Sequence, residues 1–181
     1  MNIIETIQKN LGFNPLQKID PNTQQTAGQS AIGNNALAQA GIPAILLGIY
    51  NQLESDPFIT DLDQEGNLLE KIFGKSKDTV VKRIAEYSKI KDHHGVQELE
   101  HIASESIRVL KESLGANATE PAIRSFVSKN KPDTLLYLPP SLELGTIFQN
   151  NNLDDRTGKM EGPVSSFMRT VEKAFNSTDQ A

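Results

Sequence analysis

One segment in the first half of the chain constrains the fold more than any other. The run from Ile42 to Tyr50 is almost entirely apolar, so a helix formed there has almost no polar face. A helix that is apolar all round must be buried on nearly all sides. The run is also far shorter than the roughly 20 residues that a membrane-spanning helix requires. We therefore predict a central core helix near residues 42–54, in which Gly48 lets one neighbour approach closely because it has no side chain.

The rest of the chain has apolar residues at helical spacing, and no segment shows the sustained alternation of a strand. Asn2 is placed to cap a first helix with Glu5 as its partner, and Gly12 is placed to end it. Asn14-Pro15 has the pattern of a second cap, with proline at the first helical position. Further helices are predicted over residues 68–73, 76–87, 93–114, 119–127, 140–148 and 163–175.

These helices predict an all-α, compact multi-helix bundle. The predicted core stripe of the 93–114 helix consists of Val96, Leu99, Ala103, Ile107 and Leu110. We expect this helix, the first helix and the 140–148 helix to surround the central one.

The length of 181 residues fits a single helical domain over residues 1–175, followed by a frayed tail at 176–181. Two halves, 1–74 and 75–175, are the alternative division. The segments 43–48 and 140–145 share their Pro-to-Gly spacing and their apolar positions. If they are a true repeat, the bundle consists of two related helical hairpins.

Composition and charge narrow the range of partners. The chain has no cysteine and no tryptophan, 6% of its residues are aromatic, and its net charge is −5. Nucleic-acid-binding domains usually carry the opposite charge, so we predict no nucleic-acid partner. The charge is uneven, with six acidic residues over 54–70 followed by seven basic residues over 71–91. The two segments form either solvated faces that attract each other or a docking surface for a charged partner.

The first residues have no basic region followed by a long apolar stretch, so they do not resemble a signal peptide. We expect a cytoplasmic protein without a membrane partner.

One part of the chain resembles a known family. Leu11-Gly12, the polar linker after it and the apolar segment Ala40–Ile49 resemble the YidB-like bacterial family, a domain of unknown function. The resemblance covers residues 1–55, and it implies a helical fold. It implies no chemistry, because the family brings no catalytic residues to carry over.

Three residues of the 93–114 helix are candidate metal ligands. His94, Glu98 and His101 stand four and three positions apart, so a helix aligns them in one stripe. Two imidazoles and a carboxylate suit zinc or iron. The stripe lies nearly opposite the predicted core face, so the alternative is a solvated surface.

A second pattern resembles part of a calcium site. Residues 61–68 match the first eight positions of an EF-hand loop, but position 12, which should be a bidentate glutamate, is Ile72. We therefore predict no calcium binding tighter than roughly millimolar, which is the weakest class of such loops.

Catalytic patterns are missing from the sequence. Nucleophilic catalysis needs a base beside the nucleophile, and all three histidines lie between His93 and His101. No serine lies in a Gly-x-Ser-x-Gly turn. We predict a non-enzymatic domain that binds a protein partner or a second copy of itself, and the alternative is a metal-binding protein that uses the His94 stripe.

Overall fold

The computed structural model describes residues 2–19, 33–56, 67–90, 92–115 and 117–147. Within these ranges the chain is helical and contains no β-strand, so the predicted all-α bundle is confirmed. Its α-helices are α1 (Ile3–Asn10), α2 (Asn34–Ser55), α3 (Leu68–Phe73), α4 (Lys77–Ser88), α5 (Asp92–Leu114), α6 (Glu120–Leu135) and α7 (Leu144–Ile147), with 3-10 turns at Gly74–Ser76 and Pro140–Leu142. The predicted 163–175 helix, the 176–181 tail and residues 61–66 of the calcium-like loop lie outside the described residues.

Helix α2 is the centre of the bundle, as predicted. Every residue from Ala36 to Tyr50 is buried. On length and composition alone α2 could cross a membrane, but 89% of its apolar window is buried inside the protein. It packs most extensively on α6, α4 and α5, and less on α3 and α1. The turn at Pro140–Leu142, expected against α2, packs on α4.

Two glycines of α2 bring neighbouring helices close. A Cβ atom at Gly48 would lie 2.5 Å from a methyl carbon of Ile72 and 2.7 Å from the ring of Phe73, so a neighbour does approach closely there, and it is α3, which was not among the expected neighbours. A Cβ atom at Gly41 would lie 2.7 Å from Leu99 of α5. A side chain at either position would push a packed neighbour away.

The first helix ends as predicted, but the segment after it is not helical. Asn2 caps α1 by accepting a hydrogen bond from the backbone N–H of Ile4 (3.1 Å). Gly12 has a left-handed backbone (φ 72°), and residues 13–19 continue in irregular backbone. The helix predicted at Asn14-Pro15 is therefore wrong, because the backbone N–H groups of this segment bond to other parts of the protein. We call α1 and this segment, residues 2–19, the hook.

The core face of α5 differs from the prediction at its first turns. Leu99, Ala103, Ile107 and Leu110 are buried as expected, whereas Val96 is 38% exposed. At the start of α5 it is Gly95 that is buried, with Leu37 of α2 within 4.0 Å of where its Cβ would lie. The buried face is therefore rotated by one position there, which leaves Val96 outside the core.

Helix α6 continues beyond the predicted end at residue 127. It runs to Leu135 and contains Pro132 in its last turn. Lys131 of α6 forms an ion pair with Glu54 (2.7 Å), and Arg124 donates to the Glu54 carbonyl (3.2 Å). Both cations therefore stabilise the C-terminal end of α2, where the helix dipole is negative.

The segments 43–48 and 140–145 have different backbone conformations. The first is an uninterrupted part of α2. The second is a 3-10 turn followed by Glu143 in the left-handed region (φ 43°), and α7 has four residues within the described range, which ends at 147. Arg83 of α4 donates to the carbonyls of Leu142 (2.8 Å) and Glu143 (2.7 Å), which holds this turn in place of the predicted helix.

Candidate functional site

An open cleft of about 530 Å³ lies between the start of α1, the end of α5 and the last turns of α6. Its lining residues are Asn2, Ile3, Ile4, Ser113, Phe126, Lys129, Asn130, Asp133 and Thr134. Most of them come from α6, because residues 126, 129, 130, 133 and 134 recur on one face of a helix. The cleft thus depends on the part of α6 that the sequence did not predict.

The polar side chains of the cleft divide into two groups. The amide of Asn130 donates to the carbonyl of Phe126 (2.8 Å), and the hydroxyl of Thr134 donates to the carbonyl of Asn130 (3.0 Å). These two groups therefore serve the α6 backbone. Lys129 and Asp133 are exposed, and neither side chain forms an ion pair within the described ranges. The two charges remain accessible to a ligand.

A buried hydroxyl lies beside the cleft. Tyr50 of α2 is fully buried, and its hydroxyl has no hydrogen-bond partner of ordinary geometry in the described part of the chain. Burial raises the pKa of Tyr50 to about 12, and the neighbouring Thr134 side chain offsets part of that rise. The phenol is therefore neutral at physiological pH and can act as a hydrogen-bond donor, but it cannot act as a base.

The predicted metal ligands lie on the surface of α5. His94 and His101 are exposed and Glu98 is half-buried. Within the ranges that the structure describes, no group of three or more histidine, aspartate or glutamate side chains is arranged to hold a metal ion. The use of this stripe for zinc or iron stays a prediction.

Glu105, the next acidic residue on this face of α5, already has hydrogen-bond partners. The carboxylate of Glu105 accepts from the amide of Asn10 (2.7 Å) and from the guanidinium of Arg108 (2.6 and 2.8 Å). The hydrogen bonds from Arg108 lower the pKa of Glu105, with a smaller contribution from Asn10. Glu105 therefore stays ionised and attached to the hook.

The acidic and basic segments meet at one ion pair in the described residues. The Lys77 ammonium donates a hydrogen bond to the Glu70 carboxylate (2.8 Å), and this bond raises the pKa of Lys77. Glu54 of the acidic segment forms its ion pair with Lys131 of α6 instead. Lys75 just before α4, Lys82 on it and Lys89 just after it are exposed, with Lys82 3.9 Å from Glu86. The Glu70–Lys77 pair is thus where the two segments attract each other in the part of the chain that the structure describes.

Comparison of the chain with models of protein families, with curated proteins and with solved structures finds no match in any of the three. The resemblance to the YidB-like family stays a prediction.

Proposed function

We propose that this chain is a non-catalytic helical domain that binds another protein through the cleft between α1, α5 and α6. The observation that carries the proposal is the combination of an apolar floor with two accessible charges. The floor consists of the half-buried Phe126 and of Ile3 and Ile4, which are 5% and 1% exposed, and Lys129 and Asp133 stand beside it. Apolar and aromatic contacts supply most of the energy in protein interfaces, while charges beside them orient the partner.

The shape of the cleft favours a protein segment over a small molecule. Small-molecule sites usually enclose roughly 70–90% of the ligand surface, whereas this cleft is open along one side. The amide of Asn130 and the hydroxyl of Thr134 already bond to the α6 backbone. They are therefore suited to shaping a docking surface more than to chemistry.

Site-specific photo-crosslinking tests the proposal. A benzophenone amino acid replaces Lys129, and the matched control replaces Lys82, an exposed lysine of α4 that lies outside the cleft. We expect a protein to be captured in cells from position 129 and not from position 82. Equal capture from both positions would count against the cleft.

The double variant Lys129→Glu with Asp133→Lys, in which both charges are reversed, then tests whether these side chains contribute to the affinity for the captured partner. Both side chains are exposed and have no ion-pair partner within the described ranges, so the variant should melt as the wild type does. We expect it to bind the purified partner at least about tenfold more weakly, since reversed charges are placed against the partner's own. Unchanged affinity would remove Lys129 and Asp133 from the interface.

A further inference from the structure

The exposed side of α6 carries a line of residues at heptad spacing. Phe126, Lys129, Asp133 and Leu136 stand three, four and three positions apart, and Leu136 keeps helical backbone just beyond the end of α6. Steps that alternate between three and four align side chains along one line, which is the geometry of two helices packed side by side. Lys129 and Asp133 are exposed, and Phe126 and Leu136 are half-buried. We call these four residues the α6 seam.

The two charges at the centre of the α6 seam do not neutralise each other within one chain. Neither Lys129 nor Asp133 forms an ion pair in the part of the chain that the structure describes. A pair four positions apart on one helix is more favourable when the acidic residue comes first. Helix α6 has such a pair in Glu120 and Arg124, whose side chains are 2.9 Å apart, whereas Lys129 and Asp133 stand in the opposite order. Their charges therefore remain for a second molecule.

The α6 seam is complementary to itself when a second copy lies antiparallel to it. A two-fold axis at residue 131 pairs each position with the one that lies equally far beyond that residue. Lys129 then faces Asp133 of the second copy, and Phe126 faces Leu136 of the second copy. The symmetry forms every contact twice, so two ion pairs lie at the centre with an apolar contact at each end. A different protein would have to present both charges at this spacing, whereas a second copy does so by symmetry.

We propose that two copies of this chain pair through the α6 seam, antiparallel about a two-fold axis at residue 131. The pairing rests on the proposed function and names its partner. Phe126, Lys129 and Asp133 line the cleft, so the helix that lies along it is α6 of a second copy. The apolar contacts supply the affinity, while the ion pairs fix the direction and the register of the two helices. No third charge opposes the approach, because the residues that flank the charged pair are Ser125, Asn130 and Pro132.

Sedimentation equilibrium of single charge reversals tests the pairing. Lys129→Glu makes both charges of the α6 seam negative, and Asp133→Lys makes both positive. We expect the wild type to dimerise as its concentration rises and each single variant to dimerise at least about tenfold more weakly, because like charges then face each other. An equimolar mixture of the two variants should recover the wild-type affinity, since a negative seam then faces a positive one. The control is Lys82→Glu, an exposed lysine of α4 outside the seam, which should dimerise as the wild type does.

The double variant Lys129→Glu with Asp133→Lys separates pairing with a second copy from binding to a different protein. Its two charges are exchanged, yet its seam is still complementary to itself. We therefore expect it to dimerise with itself as the wild type does and to pair poorly with the wild type. Both side chains are exposed, so circular dichroism should show the helical content of the wild type in every variant.

The outcomes that would overturn the pairing are specific. They are a wild type that is monomeric at every concentration, single variants that dimerise as the wild type does, a mixture that does not recover, and a double variant that no longer dimerises with itself. If the wild type is monomeric while position 129 still captures a different protein in cells, the pairing falls and the cleft function stands. If the wild type is monomeric and positions 129 and 82 capture protein equally, both fall.

Discussion

Gln39 shows how a single polar residue is accommodated in an apolar helix. It lies near the N-terminal end of the buried part of α2, where its amide makes three hydrogen bonds, two with the backbone of Gln17 and one to the carbonyl of Tyr137 (2.8 Å). A buried amide without partners is costly, and here every bond connects α2 to a distant segment. The residue thus fixes the position of the hook, which apolar packing alone would leave less specific.

Replacing Gln39 tests that role at the residue scale. Gln39→Leu keeps the size of the side chain and removes all three hydrogen bonds, so we expect a loss of about 1–3 kcal/mol in the free energy of unfolding. The control is Gln52→Leu on the same helix, where the residue is exposed and its bonds are 3.3 Å long. Urea unfolding measures both. Equal midpoints for the two variants would mean that Gln39 does not hold the hook.

Leu46 tests the apolar side of the same helix. It is fully buried at the centre of α2, so Leu46→Ala leaves a cavity and should lower the free energy of unfolding by about 2–5 kcal/mol. Val96→Ala is the control, because Val96 is 38% exposed, and surface changes usually stay within about 0.5 kcal/mol. An unchanged urea midpoint in Leu46→Ala would show that α2 is not the core.

Tyr50 makes stability depend on pH in the alkaline range. Its folded-state pKa is raised from the ordinary value near 10 to about 12 by burial. Below pH 10 the Tyr50 phenol is neutral in both the folded and the unfolded state, and its contribution to the free energy of unfolding is fully present. Between pH 10 and 12 the unfolded chain ionises first, so stability is lost as pH rises, by up to about 3 kcal/mol for two pKa units.

The comparison of wild type with Tyr50→Phe isolates this effect. The hydroxyl has no partner in the described residues, so the variant should be about as stable as the wild type at pH 7. We expect the urea midpoint of the wild type to fall below that of the variant between pH 10 and 12. If the urea midpoints of the two proteins changed with pH in parallel, the hydroxyl would be solvated or hydrogen-bonded in the folded protein.

At the scale of elements, α3 is held by a residue from another helix. Asn67 precedes α3, but its backbone is left-handed (φ 55°) and its side chain makes no capping bond. The carboxylate of Glu100 on α5 accepts instead from the N–H groups of Leu68 (2.9 Å) and Leu69 (3.3 Å). A carboxylate there also complements the positive end of the helix dipole.

Removing this cap should loosen α3. We expect Glu100→Ala to lower the free energy of unfolding by about 1 kcal/mol, as the loss of a capping side chain does elsewhere. Glu98→Ala, a half-exposed position on the same helix, should change it by less than about 0.5 kcal/mol. Hydrogen exchange of the Leu68 and Leu69 amides locates the effect, and unchanged protection there would contradict the assignment of the cap.

The helix ends that the sequence predicted correctly are those with a local signal. Gly12, Gly74 and Gly115 follow helices and have positive φ angles, which glycine adopts without strain. Helix α6 contains Pro132, although proline usually disrupts a helix. Because Pro132 has no N–H, the backbone carbonyl of Ser128 lacks its usual helical donor. Ser128 is exposed, so water can donate to this carbonyl instead.

For the whole molecule, the bundle was predictable and the candidate site was not. An almost uninterrupted apolar run identified the central α2, and apolar periodicity identified the buried face of α5 from Leu99 onward. The cap at Glu100 and the bonds of Gln39 join residues far apart in sequence, and no local pattern encodes them. The cleft was missed for the same reason, since Lys129 and Asp133 are unremarkable surface residues until α6 is known to extend past Pro132.

Elemental analysis of the whole protein tests the metal-binding hypothesis. His94 and His101 are exposed, and Glu105 is engaged by Arg108 and Asn10. A zinc site in a helix bundle usually needs ligands that project from facing helices, so we expect purified protein to carry no stoichiometric zinc or iron by elemental analysis. Stoichiometric metal that disappears in the double variant His94→Ala with His101→Ala would reverse that expectation.

The all-round apolar surface of α2 also affects the chain while it is being synthesised. The chain is synthesised from the N-terminus, and Ser55 emerges about 80 residues before Leu135 completes α6. At roughly 5–20 residues per second this interval lasts on the order of 4–16 s. During this interval the helices that later cover most of α2 are completed one after another, α4 first, α5 next and α6 last, and α2 has no hydrophilic side to turn toward water. The nascent protein is thus most vulnerable to aggregation while its future core is already made, and shelter by the ribosome or a chaperone matters most in those seconds.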